Sequence, residues 1–283
     1  MNPILEVKDL NYIYSIGTPF EHKALDNVNF AINRGEFIGI IGHTGSGKST
    51  LMQQLNGLLK PTSGKILLDG QDIWADKKAT RQARFRVGLV FQYPEYQLFE
   101  ETVYKDIAFG PKNMGLKPEE VDRRVREAAG FVGITEEQLH ISPFDLSGGQ
   151  KRRVAIAGVI AMEPKCIVLD EPTAMLDPKG RREVMETIQQ LNKDKDITVV
   201  LITHHMDEAA QAQRVVVLHQ GEVALDGDPR EVFAHVEKLH EIRLAAPETV
   251  ELCWELNKEG FNLPLTRLNA EECAQTLYEE LKV

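Results

Sequence analysis

Short apolar runs alternate along the chain with segments in which apolar residues recur every three or four positions. Residues 37–42, 166–170 and 197–203 are almost continuously apolar, which is typical of strands buried on both faces of a sheet. The helical spacing is clearest over residues 118–131. Because strand and helix patterns alternate, the sequence predicts an α/β fold with a largely parallel sheet.

Two regions depart from this alternation. Residues 5–8 and 65–68 have the pattern of antiparallel strands in a flanking subdomain. Towards the C-terminus the strand pattern fades, and Asp228 begins a helix-start signal of the capping-box type. We therefore expect a main domain over residues 1–235 and a small helical region over 236–283.

The composition narrows the classes of partner. The 43 acidic residues outnumber the 33 basic ones, giving a net charge of −10. A nucleic-acid-binding protein needs a basic surface, so this balance speaks against nucleic acid as a partner. The longest apolar run, 154–162, is far shorter than the ~18 residues of a membrane-spanning helix. We expect no signal peptide, and the three cysteines are expected to be reduced thiols in the cytosol.

A glycine-rich stretch directly after the first buried strand is the clearest chemical motif. It matches G-x-x-x-x-G-K-[ST] at every fixed position and leads into a helical segment. Such a loop points backbone N–H groups at phosphate oxygens, Lys48 adds a full positive charge, and the Ser49 hydroxyl can coordinate Mg²⁺. A glycine-rich turn before an ordinary helix is the less specific alternative. The predicted phosphate cradle consists of Gly42, His43, Thr44, Gly45, Ser46, Gly47, Lys48, Ser49 and Thr50.

Two adjacent carboxylates, Asp170 and Glu171, stand at the end of the second buried strand. The C-terminal ends of parallel strands are where α/β sheets bind ligands. We expect Asp170 to hold the Mg²⁺ shell, and Glu171 to orient and deprotonate an attacking water. Acids at strand ends also serve as caps or solvated charges. Their position after the cradle in the chain favours the catalytic interpretation.

A third motif, LSGGQ at residues 146–150, precedes another helical pattern. Ser147 and Gln150 fit a capping box, and a glycine-flanked helix N-terminus is also an anion site. Together with LDEPTAMLDP at 169–178 and the cradle, this stretch resembles the signature, Walker B and D-loop motifs of ATP-binding-cassette (ABC) ATPases. The resemblance covers about residues 4–235. It implies a P-loop NTPase fold with a parallel core, an antiparallel β subdomain and a helical signature subdomain.

Membership of this class implies a head-to-tail dimer in which each ATP lies between the cradle of one subunit and the signature of the other. Asp177 would then cross the interface. Met175, two residues before it, stands where related chains often have glycine. The signature residues that would contact the partner's ATP are Ser147, Gly148, Gly149 and Gln150.

The resemblance also implies roles for three further residues around the nucleotide. Gln92 resembles the Q-loop glutamine that senses Mg²⁺ and water, and is expected as a metal ligand and catalytic residue. His204 resembles the switch histidine that holds the γ-phosphate, and only the family register favours it over His205. Tyr14 is the expected adenine-stacking aromatic, with Tyr12 as the alternative.

The stretch after Gln92 indicates the kind of cassette. Residues 93–103 and 109–111 resemble the region of energy-coupling-factor transporter ATPases that receives helices of a transmembrane coupling subunit. Residues 17–25, 42–50 and 55–64 look like the second of the two paired ATPases in that system. A surface helix that happens to carry aromatics is the alternative.

The resemblance implies a peripheral ATPase on the cytoplasmic face of the cell membrane that powers the import of vitamins or transition-metal ions. Its implied partners are a homologous ATPase (in a heterodimer, with a homodimer left open), a transmembrane coupling protein and a substrate-binding membrane protein. Residues 236–283 would add a dimer contact or form a small core of their own. The alternatives are the ATPase of another ABC importer, or a soluble assembly or repair ATPase. Only 55 positions separate Gln92 from Ser147, which leaves no room for the coiled coil of chromosome-organising relatives.

Overall fold

A computed structural model of the protein describes residues 3–280. Met1, Asn2 and residues 281–283, at the outer ends of the two predicted domains, lie outside the described residues. The strands found in residues 3–280 are β1 (Pro3–Tyr14), β2 (His22–Asn33), β3 (Phe37–Ile41), β4 (Ser63–Leu68), β5 (Gln71–Asp72), β6 (Val87–Val90), β7 (Cys166–Asp170), β8 (Thr198–Ile202), β9 (Arg214–His219) and β10 (Glu222–Gly227). The helices in the same range are α1 (Lys48–Leu55), α2 (Lys77–Arg86), α3 (Val103–Asn113), α4 (Pro118–Phe131), α5 (Glu136–Leu139), α6 (Gly148–Ile160), α7 (Pro178–Lys195), α8 (Met206–Ala209), α9 (Pro229–Ala234), α10 (Val236–Glu241), α11 (Glu248–Lys258) and α12 (Ala270–Glu280).

The larger sheet has the strand order β10-β9-β3-β8-β7-β6. All neighbouring pairs are parallel except β10 with β9. Strands β3, β7 and β8 are buried along their whole length, because the sheet is covered on both faces. The predicted α/β fold with a mostly parallel core is therefore confirmed.

The smaller sheet is antiparallel, with the order β2-β1-β4-β5. Leu5 of β1 lies opposite Leu68 of β4, so the two stretches expected in a flanking subdomain are neighbours in it. One apolar core joins this sheet to α1 and to one face of the larger sheet, through side chains such as Ile66, Leu51 and Ile38. The helix that follows the cradle is thereby fixed between the two sheets.

Helices α3, α4 and α6 cover the opposite face of the larger sheet and share its core. Helix α4 has the predicted bounds because Pro118 occupies its first turn, and its apolar face is buried as the spacing indicates. Arg126 pairs with Asp122 at 2.9 Å. Arg123 binds Glu120 and Glu127.

The C-terminal helices pack on the outer part of the larger sheet. Val236 and Leu239 lie in one core with Phe233 and with Val217 of β9, so apolar packing is continuous across the expected boundary at 235. A second, smaller core lies within residues 253–277 and contains Cys253, Leu263 and Cys273. Asp228 caps α9 through the amide of Arg230, one residue earlier than a capping box requires. Among the helices of residues 3–280, none has both the length and the apolar character needed to span a bilayer.

Candidate functional site

The candidate site lies where four parallel strands of the larger sheet end at the same edge. The glycine-rich loop follows β3, Glu171 follows β7, His204 follows β8 shortly after its last residue, and Gln92 follows β6. Strands β3, β8, β7 and β6 are consecutive neighbours. Their order places residues from four distant parts of the chain around one cleft.

The glycine-rich loop folds tightly around the first turn of α1. Gly47 has φ of +103°, and a Cβ there would lie 2.5 Å from the carbonyl oxygen of Ala24, so only glycine fits. The Nζ of Lys48 donates to the carbonyl oxygens of Gly42 at 2.6 Å and His43 at 3.1 Å. Burial lowers the pKa of Lys48, while the charges of Glu171 and Asp170 oppose this shift. The loop thus presents a buried cation beside two carboxylates.

Asp170 and Glu171 differ sharply in surroundings. Asp170 is buried, and burial together with the charge of Glu171 raises its pKa to about 6 despite Lys48. A buried carboxylate of this kind is stabilised as an anion by a bound cation. Glu171 has φ of +48°, a left-handed conformation that is uncommon outside glycine and typical of strained functional positions.

Both carboxylate oxygens of Glu171 accept hydrogen bonds. Nε2 of Gln92 donates to Oε2 at 2.8 Å, and Nε2 of His204 lies 2.7 Å from Oε1. Burial and the charge of Lys48 lower the pKa of His204, against the opposing effect of Glu171. A neutral His204 therefore carries its proton on Nε2, since a carboxylate can only accept.

A cavity of about 510 Å³ lies at this cleft. The cavity is lined by Tyr14, His22, Ala24, Thr44, Gly45, Gly47, Lys48, Ser49, Thr50, Gln92, Glu171 and His204. Every residue of this lining except His22 and Ala24 was among the candidates from the sequence. Gly42, His43, Ser46 and Asp170 belong to the same loop and strand end but do not line the cavity. The Oγ of Ser46 is buried within the loop without a hydrogen-bond partner among residues 3–280.

Tyr14 and Tyr12 occupy different surroundings. Tyr14 lines the cavity, is 38% exposed, and its hydroxyl lies 3.1 Å from Oγ1 of Thr50 in α1. Tyr12 packs against the core between the sheets, and its ring is nearly perpendicular to that of Tyr14, with ring centroids 4.7 Å apart. Tyr14 is therefore the tyrosine that lines the cavity, and Tyr12 packs beside it.

Comparison with known proteins identifies the family of this chain. Residues 25–174 match the family described as ABC transporter. The energy-coupling factor transporter ATP-binding protein EcfA2 of Caldanaerobacter subterraneus subsp. tengcongensis is 51% identical over 279 residues, 98% of each chain. The protein of the same name from Clostridium perfringens is 52% identical over 281 residues, again 98% of each chain. The chain belongs to the energy-coupling factor group of ABC transporter ATP-binding proteins.

Two solved structures share the fold. The first is cbiO1 from Clostridium perfringens, described as part of the ABC transporter complex cbiONQ, with 44% identity and a TM-score of 0.75 over 86% of this chain and 95% of the other. The second is the ATP-binding cassette MJ0796, described as a dimer bound to ADP and phosphate. It is 32% identical, with a TM-score of 0.71 over 80% of this chain and 98% of the other. The predicted family, and the expected likeness to energy-coupling-factor ATPases, are confirmed.

In this ABC protein the signature lies apart from the cradle of its own chain. None of residues 146–150 lines the cavity. Ser147 and Gln150 form the expected capping box: the amide of Gln150 donates to Oγ of Ser147 at 3.3 Å, and the amide of Ser147 donates to Oε1 of Gln150 at 2.9 Å. A Cβ at Gly148 or Gly149 would meet no atom of residues 3–280 within 4 Å, chain neighbours and the helix's own backbone apart. Folding of the single chain therefore does not require glycine at either position.

The D-loop has a conformation that the sequence did not show. Asp177 caps α7 by accepting from the amide of Gly180 at 2.8 Å. Met175 has φ of +60° and is 88% exposed. A left-handed conformation is one that glycine adopts without strain, so glycine would be accommodated at position 175 more easily than methionine.

Some residues of the site could not be found by motif. His22 and Ala24 lie at the start of β2, and His22 reaches the cavity because it pairs with Tyr14 across the β1–β2 hairpin. The only signal was their closeness in sequence to Tyr14. Glu208 is buried behind the site and accepts from Oγ1 of Thr173 and Oγ1 of Thr203, each at 2.7 Å. This carboxylate ties the loop after Glu171 to the residue before His204.

Proposed function

We propose that the chain binds MgATP in the cradle and hydrolyses it with Glu171 as general base, as one half of a head-to-tail dimer in an energy-coupling-factor importer. One observation carries this proposal: the carboxylate of Glu171 is held between Gln92 and His204 at the cavity that the cradle lines. A carboxylate that is hydrogen-bonded to Gln92 and His204 and lies beside a phosphate cradle is suited to activate water for attack on a γ-phosphate.

The side chains present fit Mg²⁺. The Ser49 hydroxyl, the Asp170 carboxylate and the Gln92 amide oxygen are hard oxygen ligands of the kind that Mg²⁺ prefers. When bound, the ion would neutralise charge on the phosphates and align them. We propose these three residues as the Mg²⁺ shell.

Three further side chains would bind the phosphates and position the base. Lys48 would exchange the carbonyl oxygens of Gly42 and His43 for phosphate oxygens. His204 would donate from Nε2 to the γ-phosphate, which releases Oε1 of Glu171 to accept a proton from water. Gln92 holds the other oxygen and so fixes the plane of the carboxylate.

The position of the signature relative to the cavity supports the proposed dimer. The signature does not reach the cavity of its own chain, and Gly148 and Gly149 leave open space that a phosphate from another subunit could enter. The relative MJ0796 is described as a dimer bound to ADP and phosphate. We propose that Ser147 to Gln150 contact the partner's ATP and that Asp177 lies at the interface. The partner is a homologous ATPase, with a second copy of this chain as the alternative.

The membrane partner is proposed to dock after the Q-loop. Tyr96 is 85% exposed and Phe99 is 60% exposed, and Phe99 meets Phe109 of α3 edge to face with centroids 5.0 Å apart. Such a cluster suits helices of a transmembrane coupling protein, which would join a separate substrate-binding membrane protein on the cytoplasmic face of the membrane. The imported substrates would be vitamins or transition-metal ions. Residues 236–283 are proposed to add a dimer contact.

The base is tested with Glu171→Gln in the complex isolated through a tag on this chain from detergent-solubilised membranes. We expect ATP to bind while turnover falls by about a hundredfold or more, with closed dimers accumulating on size exclusion. Glu222→Gln, an exposed glutamate of β10, is the matched control and should behave as wild type. Near-normal turnover of Glu171→Gln would remove Glu171 as the base.

The docking site is tested separately with Tyr96→Glu and Phe99→Glu. Both should lose co-purification with the membrane proteins while nucleotide affinity stays within about twofold of wild type, because neither residue lines the cavity. Phe20→Glu, an aromatic of the β1–β2 loop that is 83% exposed, is the control. Unchanged co-purification and transport would rule out this surface.

A further inference from the structure

The turn that follows Glu171 is held by a buried arginine from the signature helix. Arg152 of α6 is 1% exposed. Its Nη1 donates to the carbonyl oxygen of Pro172 at 2.9 Å and to that of Ala174 at 2.8 Å. These carbonyls belong to the residues directly after the proposed base. The main chain at Glu171 is therefore tied to a helix that begins at the signature.

The same guanidinium binds the segment after Gln92. Its Nη2 donates to Oε1 of Glu95 at 3.0 Å, and its Nε donates to Oε2 of the same carboxylate at 3.2 Å. Glu95 lies in a 3-10 turn, Pro94–Gln97, three residues after Gln92. One side chain thus joins three segments: α6, the turn after Gln92 and the turn after Glu171. The side chains of Gln92 and Glu171 also bond to each other in the cleft.

Backbone strain lies beside each of these contacts. Tyr93 has φ of +59° and Glu171 has φ of +48°. Left-handed conformations of non-glycine residues persist only where surrounding contacts enforce them. If the guanidinium contacts were lost, both turns could relax, and the Gln92 amide and the Glu171 carboxylate would move apart or rotate.

We infer that Arg152 is a positioning residue for Glu171. Together with Glu95, it holds the side chains of Gln92 and Glu171 in place relative to each other and to the signature helix. The inference rests on the proposed role of Glu171 as base. Arg152 touches no residue that lines the cavity through these bonds, so its effect is on the rate of hydrolysis and not on nucleotide binding.

The geometry requires a guanidinium. Arg152 places donors on both sides of a planar group, towards a carboxylate on one side and two carbonyl oxygens on the other. A lysine keeps the charge but carries its donors on one nitrogen, so it cannot serve both sides at once. Arg152→Lys therefore separates positioning from charge.

The experiment compares Arg152→Lys in the wild-type and Glu171→Gln backgrounds of the full chain, in the complex isolated from its membranes. In the wild-type background we expect kcat to fall by about tenfold or more with KM for ATP within about twofold, since misplacing a base mainly affects the chemical step. In the Glu171→Gln background, the residual single-turnover rate should change by less than about twofold, because there is no base left to position.

Arg124→Lys is the matched control. Arg124 also combines carboxylates, Glu120 and Glu163, with a backbone carbonyl, that of Met162, but it contacts neither turn of the site. It should leave kcat and KM unchanged in both backgrounds. If Arg152→Lys does not yield folded protein, Glu95→Gln takes its place. The same loss of kcat in the wild-type background, and the same lack of effect in the Glu171→Gln background, are then expected.

Two results would overturn the inference. An equal fold-loss of rate in both backgrounds would show that Arg152 acts independently of Glu171. A lower melting temperature with unchanged kcat would show a role in packing alone. If the proposed function itself were wrong, Glu171→Gln without any change at Arg152 would hydrolyse ATP at nearly the wild-type rate. That result is distinct from either result that would overturn the inference about Arg152.

Discussion

Nε2 of His204 lies 2.7 Å from Oε1 of Glu171, joining the residue that would bind the γ-phosphate to the residue that would activate water. Because Gln92 donates to the other oxygen of Glu171, a water that approaches the carboxylate competes with these two donors for its acceptor positions. Movement of His204 towards a γ-phosphate would therefore release the base at the moment the substrate is in place. Binding and activation are linked through a single hydrogen bond.

We predict that His204→Ala lowers kcat by about a hundredfold, because removing one donor to developing charge in a closed site commonly costs that much. Affinity for ATP should change much less, since the cradle and Lys48 remain. Steady-state ATPase assays and nucleotide titration measure the two effects. His205→Ala is the control, as His205 does not line the cavity. Equal losses in both variants would contradict the special role of His204.

The two tyrosines of β1 should differ in the kind of defect they cause. Tyr14→Ala should weaken ATP binding by about two- to tenfold, the loss of one aromatic stacking contact, with little change in melting temperature. Tyr12→Ala should lower the melting temperature, because its ring packs on the core between the sheets. Mg-tripolyphosphate, which has no adenine ring, is the control ligand. If Tyr14→Ala weakened binding of tripolyphosphate as strongly as that of ATP, Tyr14 would not be an adenine contact.

Met175→Gly should stabilise the protein. Met175 has φ of +60° and its side chain is almost fully exposed, so glycine removes strain without losing packing. We expect a gain in the free energy of unfolding of about 0.5–1 kcal/mol, after the greater entropy of glycine in the unfolded chain is subtracted. Urea titration measures it. Glu186→Gly, within α7, should lose about 1 kcal/mol instead. A loss of similar size at Met175 would show that its side chain makes a needed contact.

The ion pair between Arg230 and Glu272 should make the attachment of α12 dependent on pH. The guanidinium lies 2.7 Å from the carboxylate and lowers the pKa of Glu272 to about 2. A carboxyl whose pKa is lower in the folded state stabilises the fold above its unfolded pKa, and this stabilisation is lost as the pH falls towards the folded value.

Glu272→Gln should therefore lower the free energy of unfolding at pH 7 by up to about 1 kcal/mol, since the pair is partly exposed and screened by solvent. The difference from wild type should narrow as the pH falls from 5 to 3.5, and also in high salt. Thermal melts across this range measure it. Glu271→Gln, in the same turn of α12, is the control. A difference independent of pH would show that charge is not the cause.

Much of the fold could be read from local patterns. The three continuous apolar runs became the buried strands β3, β7 and β8, and α4 has the bounds that its spacing and Pro118 indicate. These predictions succeeded because each depended on residues within one element. The capping box of Ser147 and Gln150 was predicted for the same reason, since the two residues are one helical turn apart.

Sequence patterns predicted little where distant segments meet. Packing across residue 235 was not visible, because Phe233 and Val236 share a core with β9, which lies earlier in the chain. Arg152 and Glu95 are 57 positions apart, and neither belongs to a spacing pattern that would pair them. The sequence likewise could not show that Glu95 is the partner that keeps a buried arginine neutralised.

The sequence by itself determined the chemistry of the site, because the cradle, the acidic strand end and the signature are each contiguous and each require particular residue types at fixed spacing. Only the tertiary structure decided which of two tyrosines faces the cavity, how Glu171 is held by Gln92 and His204, and which arginine supports the turn behind it. The contacts of Glu171 follow from the order of strands in the larger sheet, whereas Tyr14 reaches the cavity from β1 of the smaller sheet. Long-range packing sets that order, and no local stretch of residues encodes it.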